Sequence, residues 1–214
     1  MRRKIDRQGA AAKEGFSMLE LIGTLVFAYS GMVVARRKEM DFIGAYSAAF
    51  LSAFGGGTLR DLLLDRRPLV WIANPEWLAI VFAVCLLGSL LVGHMPLRVD
   101  GAVLQLADAL GLGVFSAAGA ALALASGVPA VPAILMGVLT ATAGGVLRDV
   151  ICAEVPQVFR RRSQLYVTCT VTGAAVLVVL RALGVEADAA AAACVVTTVL
   201  FRLAAIRFDL QLPF

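Results

Sequence analysis

Seven stretches of mainly apolar residues follow one another along the chain, at about 18–35, 41–64, 77–95, 103–125, 130–153, 165–183 and 187–206. Each approaches the roughly 20 residues an α-helix needs to cross a bilayer. The breaks between them, such as ARRKEMD and EVPQVFRRRSQ, are too short to hold a soluble domain. Of the 214 residues, 60% are hydrophobic and 16% charged, where an ordinary soluble domain has about 25% charged. A water-soluble globule has no means of hiding that much apolar surface, so the pattern predicts an all-α membrane protein.

The chain also repeats itself. Shifted by 88 positions, Glu20, Gly23, Phe27 and Gly31 fall on Asp108, Gly111, Phe115 and Gly119. Without a gap, Gly56, Gly57, Leu59, Arg60 and Asp61 fall on Gly144, Gly145, Leu147, Arg148 and Asp149. Shared apolar bias gives scattered Ala and Leu matches, but not an acid, a glycine series, a phenylalanine and an Arg-Asp pair in register. Each copy holds three spans, and an odd number forces the second copy to enter from the opposite side of the membrane, so the repeats are inverted. The expected fold is one transmembrane domain over 1–214: repeat one at about 17–96, repeat two at about 102–184, and a seventh helix at about 187–206. A cleaved leader is a poor reading of the first span, because Glu20 interrupts it and the segment has an internal counterpart.

The repeated residues carry the chemistry. GGGTLRD at 55–61 and AGGVLRD at 143–149 place helix-weakening glycines beside an arginine and an aspartate inside apolar spans. A glycine costs about 1 kcal/mol relative to alanine within a helix. Gly55, Gly56 and Gly57, with Gly144 and Gly145, predict a break or kink whose exposed backbone lines water; the alternative is close packing of the two helices. Ala143 stands where the first copy has Gly55, which leaves the second helix less freedom. An isolated Arg or Asp at mid-membrane costs at least about 2.5–3.5 kcal/mol, so Arg60, Asp61, Arg148 and Asp149 must face the interior and find partners. Consecutive helical residues point about 100° apart. The expectation is therefore pairing across the pseudo-two-fold, Arg60 with Asp149 and Arg148 with Asp61. Ser30 and Thr142 add hydroxyls that suit a hydrated path or bond backbone. Glu20 and Asp108, near span ends, either reach the interface or stand at the mouth of such a path.

Other chemistries find little support. Cys85, Cys152, Cys169 and Cys194 lie in or beside apolar segments without close pairing, and His94 is the single histidine. That pattern suits neither a metal site nor a catalytic triad, and no phosphate-binding glycine loop or hydrolase motif is present. No cofactor and no enzymatic activity are expected. The excess of basic residues gathers near span ends, not in a stripe for nucleic acid.

Together, the inverted three-helix repeat and the doubled motif GGGTLRDLL and AGGVLRDVI resemble the prokaryotic TRIC family, the trimeric intracellular cation channels, over about residues 17–206. The same sequences resemble a bacterial inner-membrane family described as glycine-transporter-like. The resemblance implies a homotrimer with a pore inside each protomer, between the two repeats, passing potassium. Carried over by motif, the pore candidates are Gly55, Gly56, Gly57, Asp61, Gly144, Gly145 and Asp149, with Arg60 and Arg148 as supporting charges. The features fit a channel and also a secondary transporter of a small zwitterion such as glycine, since helices in inverted repeats build both. Basic residues number eight on the side holding the N-terminus and nine on the other. Without the N-terminal tail the second side dominates, which favours N-outside, C-inside in a bacterial inner membrane. RRR at 160–162 then either meets anionic lipid headgroups or serves as a topology signal.

Overall fold

The computed structural model describes residues 2–92, 101–160 and 165–211; for 2–19, 91–92 and 101–104 only the helical backbone is described. The elements are α1 (Arg2–Arg37), α2 (Phe42–Leu63), the short α3 (Val70–Ala73), α4 (Pro75–Val92), α5 (Gly101–Ala125), α6 (Ala130–Ile151), a 3₁₀ turn (Gln157–Phe159), α7 (Tyr166–Ala182) and α8 (Ala187–Arg207). Among the described residues, four stretches are long and apolar enough to cross a membrane: Phe42–Leu63, Gln105–Ala125, Ala130–Ile151 and Ala187–Arg207. Pro75–Leu90 and Tyr166–Ala182 are shorter apolar helices. Arg161 and Arg162, from the basic cluster at 160–162, lie outside the described residues, as do the side chains of the basic N-terminal tail.

The repeat is visible in how the helices end. α2 stops in a turn where Arg66 N–H donates to the Asp61 carbonyl and Asp65 takes a left-handed backbone; α6 stops where Glu154 N–H donates to the Asp149 carbonyl and Ala153 is left-handed. This is a Schellman-type cap, which satisfies carbonyls left over by the last helical turn. At the ends of α1 and α5 the left-handed residues are Glu39 and Gly127, again 88 apart. Identical stops in both copies give the following segments the same direction relative to the helix just ended.

At the centre α2 crosses α6 and α1 crosses α5, while α1 packs on α2 and α5 on α6. A Cβ on Gly56 would run into the Thr140 carbonyl oxygen, and one on Gly144 into the Ser52 carbonyl oxygen. The partner's number falls as the residue number rises, so α2 and α6 run antiparallel. α1 and α5 do the same: Gly23 faces Phe115 and Gly111 faces Phe27. The two halves are thus inverted with respect to each other. α7 and α8 pair along one flank, and α8 also lies against α5.

Of the expected break or kink at the glycines, the break is corrected by this packing. α2 is helical without interruption through Gly55, Gly56 and Gly57, and α6 through Gly144 and Gly145. The glycines serve close approach: Gly56 and Gly144 let two backbones touch where any side chain would hold them apart. That contact offsets the helix-propensity cost, so no backbone is exposed. Cys85, Cys152, Cys169 and Cys194 are buried and free.

Candidate functional site

Both Arg-Asp pairs sit in the last turn of their helices, and all four side chains are buried, with exposures of 2% for Arg60 and Asp61, 4% for Arg148 and 3% for Asp149. The expected pairing across the two-fold is not what forms. Arg60 Nε donates to Asp61 Oδ1 at 2.9 Å, with Nη2 also 2.9 Å from that oxygen. Arg148 does the same to Asp149 Oδ1, at 2.8 Å from Nε and 2.7 Å from Nη2. Two physical reasons account for this. The arginine chain is long enough to curl back across the 100° between neighbours. Antiparallel crossing also puts the pairs at opposite ends of the helix pair. With Gly56 level with Thr140, Arg60 is level with about Met136, thirteen residues short of Asp149, or about 20 Å at 1.5 Å per residue.

The second carboxylate oxygen binds the chain beyond the turn. Asp61 Oδ2 accepts from Val70 N–H, the first residue of α3, at 2.9 Å. Asp149 Oδ2 accepts from Gln157 N–H, the first residue of the 3₁₀ turn, at 3.0 Å. Each aspartate therefore neutralises its arginine and caps the next short helix, which explains why arginine and aspartate must be adjacent.

The halves differ in the third contact. Arg60 Nη1 donates to Glu20 Oε1 on α1 at 2.5 Å. Arg148 Nη1 donates to Ser30 Oγ, at 2.8 Å, and so ties α6 to α1 of the other half. Asp108, the counterpart of Glu20, instead accepts from the Tyr166 hydroxyl at 3.0 Å, and the guanidinium carbon of Arg202 stands 4.9 Å from the centre of the Tyr166 ring. A cavity of about 190 Å³ opens here, faced by Ser30, Arg37, Asp108, Arg148, Gln157 and Arg202. Arg37 is exposed, and the buried Gln157 Oε1 has no hydrogen-bond partner.

Between the two charge clusters lie the glycine crossing and a pair of rings, Phe27 and Phe115, with centroids 5.2 Å apart. Of the residues expected from sequence, Ser30, Arg148 and Asp108 meet at one end, with Asp149 beside them, and Glu20, Arg60 and Asp61 at the other. Thr142 donates to the Val138 carbonyl at 2.8 Å, a bond within its own helix. Tyr166, Gln157 and Arg202 are not singled out by the sequence pattern. The available signal for Arg202 was its position as a charge inside the last apolar span. Among the described residues, no group of three or more His, Cys, Asp or Glu is placed to hold a metal ion.

These features define an all-helical integral membrane protein made of an inverted three-helix repeat and a closing helix. A family model described as glycine transporter matches residues 17–93 and again 105–182. The UPF0126 inner membrane protein YadS of Escherichia coli (strain K12) is 36% identical over 196 residues, covering 91% of this chain and 93% of that one. A UPF0126 membrane protein of Vibrio cholerae is 37% identical over 211 residues, covering 99% and 87%. Among solved structures, the TRIC trimeric intracellular cation channel orthologue from Rhodobacter sphaeroides superposes with a TM-score of 0.83 at 36% identity, over 91% of this chain and 98% of that one. The chain belongs to this glycine-transporter (UPF0126) family of inner-membrane proteins and has the TRIC fold.

Proposed function

We propose that the chain is a monovalent cation channel that passes potassium through a path inside each protomer, between the two inverted halves. The observation that carries the reading is the pair of buried Arg-Asp clusters at opposite ends of the α2–α6 crossing, one of them opening on a polar cavity. Charged groups are kept in the interior of a membrane protein at a cost, and they mark ion paths. The likeness to a TRIC cation channel orthologue supports the same reading, and with it a homotrimer. In this reading Glu20 and Asp108 are the mouth acids, and Asp61 and Asp149 hold the path's charged corners. Ser30 and Thr142 contribute hydroxyls to the path. Gly55, Gly56 and Gly144 form a surface on which α2 and α6 slide, Gly57 and Gly145 leave space beside the Arg60 and Arg148 clusters, and Phe27 with Phe115 closes the middle. The N-terminus lies outside and the C-terminus in the cytoplasm, and lipid surrounds the trimer.

Purified protein in a planar bilayer under a potassium chloride gradient tests this. Unitary current steps that reverse near the potassium equilibrium potential are expected. A silent bilayer from folded protein overturns it.

A second reading is a secondary transporter of a small zwitterion. It is favoured by the cavity, which presents the Asp108 carboxylate together with the Arg37, Arg148 and Arg202 guanidinium groups, and by the family's description. Saturable glycine uptake into proteoliposomes without unitary currents would establish it.

A further inference from the structure

α8 is the helix the repeat does not account for, and it sends a charge into the site. Arg202 is 4% exposed, Tyr166 beneath it 2% and Asp108 6%. In the first half the equivalent acid, Glu20, is bound directly to its own arginine, Arg60, and the position equivalent to Tyr166 is Leu78. In the second half Arg148 is turned to Ser30, and Asp108 is held by the Tyr166 hydroxyl under the Arg202 guanidinium. The two acids are therefore in different electrostatic settings: one is bound by its own arginine, the other faces a cavity that it shares with Arg37 and Arg148 and with a further guanidinium, that of Arg202, brought by a helix from outside the repeat.

A cation that reaches Asp108 must enter the same small space as Arg202. In a low-dielectric cavity the repulsion between two such charges is far larger than in water, and rings or pairs of fixed charge set which ions pass a narrow site. We infer that Arg202 is a selectivity-setting residue: it holds down cation occupancy at Asp108 and so limits cation flux through the second half. The inference rests on the channel reading above.

The test compares wild type, Arg202→Gln and Arg202→Lys as single channels in planar bilayers under asymmetric potassium chloride. Arg202→Gln is expected to raise unitary potassium conductance several-fold at low ionic strength and to move the reversal potential toward the potassium value. The gain should shrink at high salt, where charges are screened, and Arg202→Lys should behave as wild type. Adding Asp108→Asn to Arg202→Gln is expected to remove the gain. A structural arginine would change only the number of active channels, so an unchanged unitary conductance and reversal potential in Arg202→Gln overturns the inference. Where that variant does not fold, Tyr166→Phe, which keeps the ring and frees the carboxylate, must also alter unitary conductance; no change overturns it equally. A wild-type channel with an indifferent Arg202→Gln sinks this inference alone, whereas a silent wild type sinks the channel reading first.

Discussion

Phe27 and Phe115 pack against each other across the pseudo-two-fold, 5.2 Å between centroids and tilted by 31°, and each ring lies over the glycine that precedes the other by four residues. The contact is self-complementary because both glycines leave room for a ring: a Cβ on Gly111 would collide with Phe27, and one on Gly23 would crowd Phe115 at 3.2 Å. It joins α1 to α5 at the level where the halves meet. If the path runs between the halves, these rings close it. Replacing both with alanine is expected to raise the open probability and the resting potassium leak from proteoliposomes several-fold. The single variants should have smaller effects, because the remaining ring still fills part of the space. A leak no greater than wild type in a folded double variant would move the constriction elsewhere.

The glycine crossing makes a sharper prediction, because neighbouring glycines differ in what they touch. Gly56→Ala and Gly144→Ala put a methyl group into the Thr140 and Ser52 carbonyls, backbone that has little room to retreat. Overpacking of this kind costs about 1–3 kcal/mol, against a helix-propensity gain of about 1 kcal/mol. Gly145→Ala meets nothing closer than the Arg148 Nη2 at 3.8 Å, so its propensity gain should dominate. Thermal unfolding in detergent should show the first two variants melting lower than wild type and Gly145→Ala no lower.

Much of this architecture was legible in the chain, because apolar length and a gapless 88-residue register are both one-dimensional signals. The inversion followed from counting spans. What the sequence could not settle was which of two uses the glycines serve, since a break and a close crossing ask for the same residue. Backbone continuity through Gly55–Gly57 excludes the break. The charge partners differ from those expected for a geometric reason: symmetry relates Arg60 to Arg148 but, in an inverted pair, also sends them to opposite ends. Tyr166 and Arg202 stayed hidden because neither has a repeat counterpart of its own type, and their meeting with Asp108 depends on how α7 and α8 fold back.

The Arg-Asp chelates predict which charge exchanges fail. Asp149→Asn leaves Arg148 buried with the neutral Ser30 hydroxyl bound to it and weakens the cap on the Gln157 turn. Removing one member of a buried pair typically costs about 3–5 kcal/mol, and a large drop in melting temperature is expected. Asp61→Asn should be milder, because Arg60 keeps Glu20 as a second acid. Exchanging charge across the two-fold, Arg60→Glu with Asp149→Lys, should be no more stable than its component variants. Rescue in that double variant would contradict the pairing described above.

Outside the membrane-spanning segments, Glu154 links the ends of two helices from different halves. It accepts from Arg160 Nη2 at 2.6 Å and lies 3.0 Å from Lys38 Nζ, just past the end of α1. Hydrogen bonding to Lys38 is the largest influence on its carboxyl; burial opposes it, and Arg160 and both positive charges add to it, so its pKa lies below the ordinary glutamate value. A depressed carboxylate pKa stabilises the fold above the unfolded value, about 4.3, and that contribution is lost as pH falls through the folded value. All three side chains are about a third or more exposed, so screening by solvent keeps the link worth at most about 1 kcal/mol. Glu154→Gln should therefore melt slightly below wild type at neutral pH. The gap should close as the pH is taken below the ordinary glutamate range, and shrink in high salt. A gap that persists unchanged in acid would show that the residue acts through packing and not through its charge.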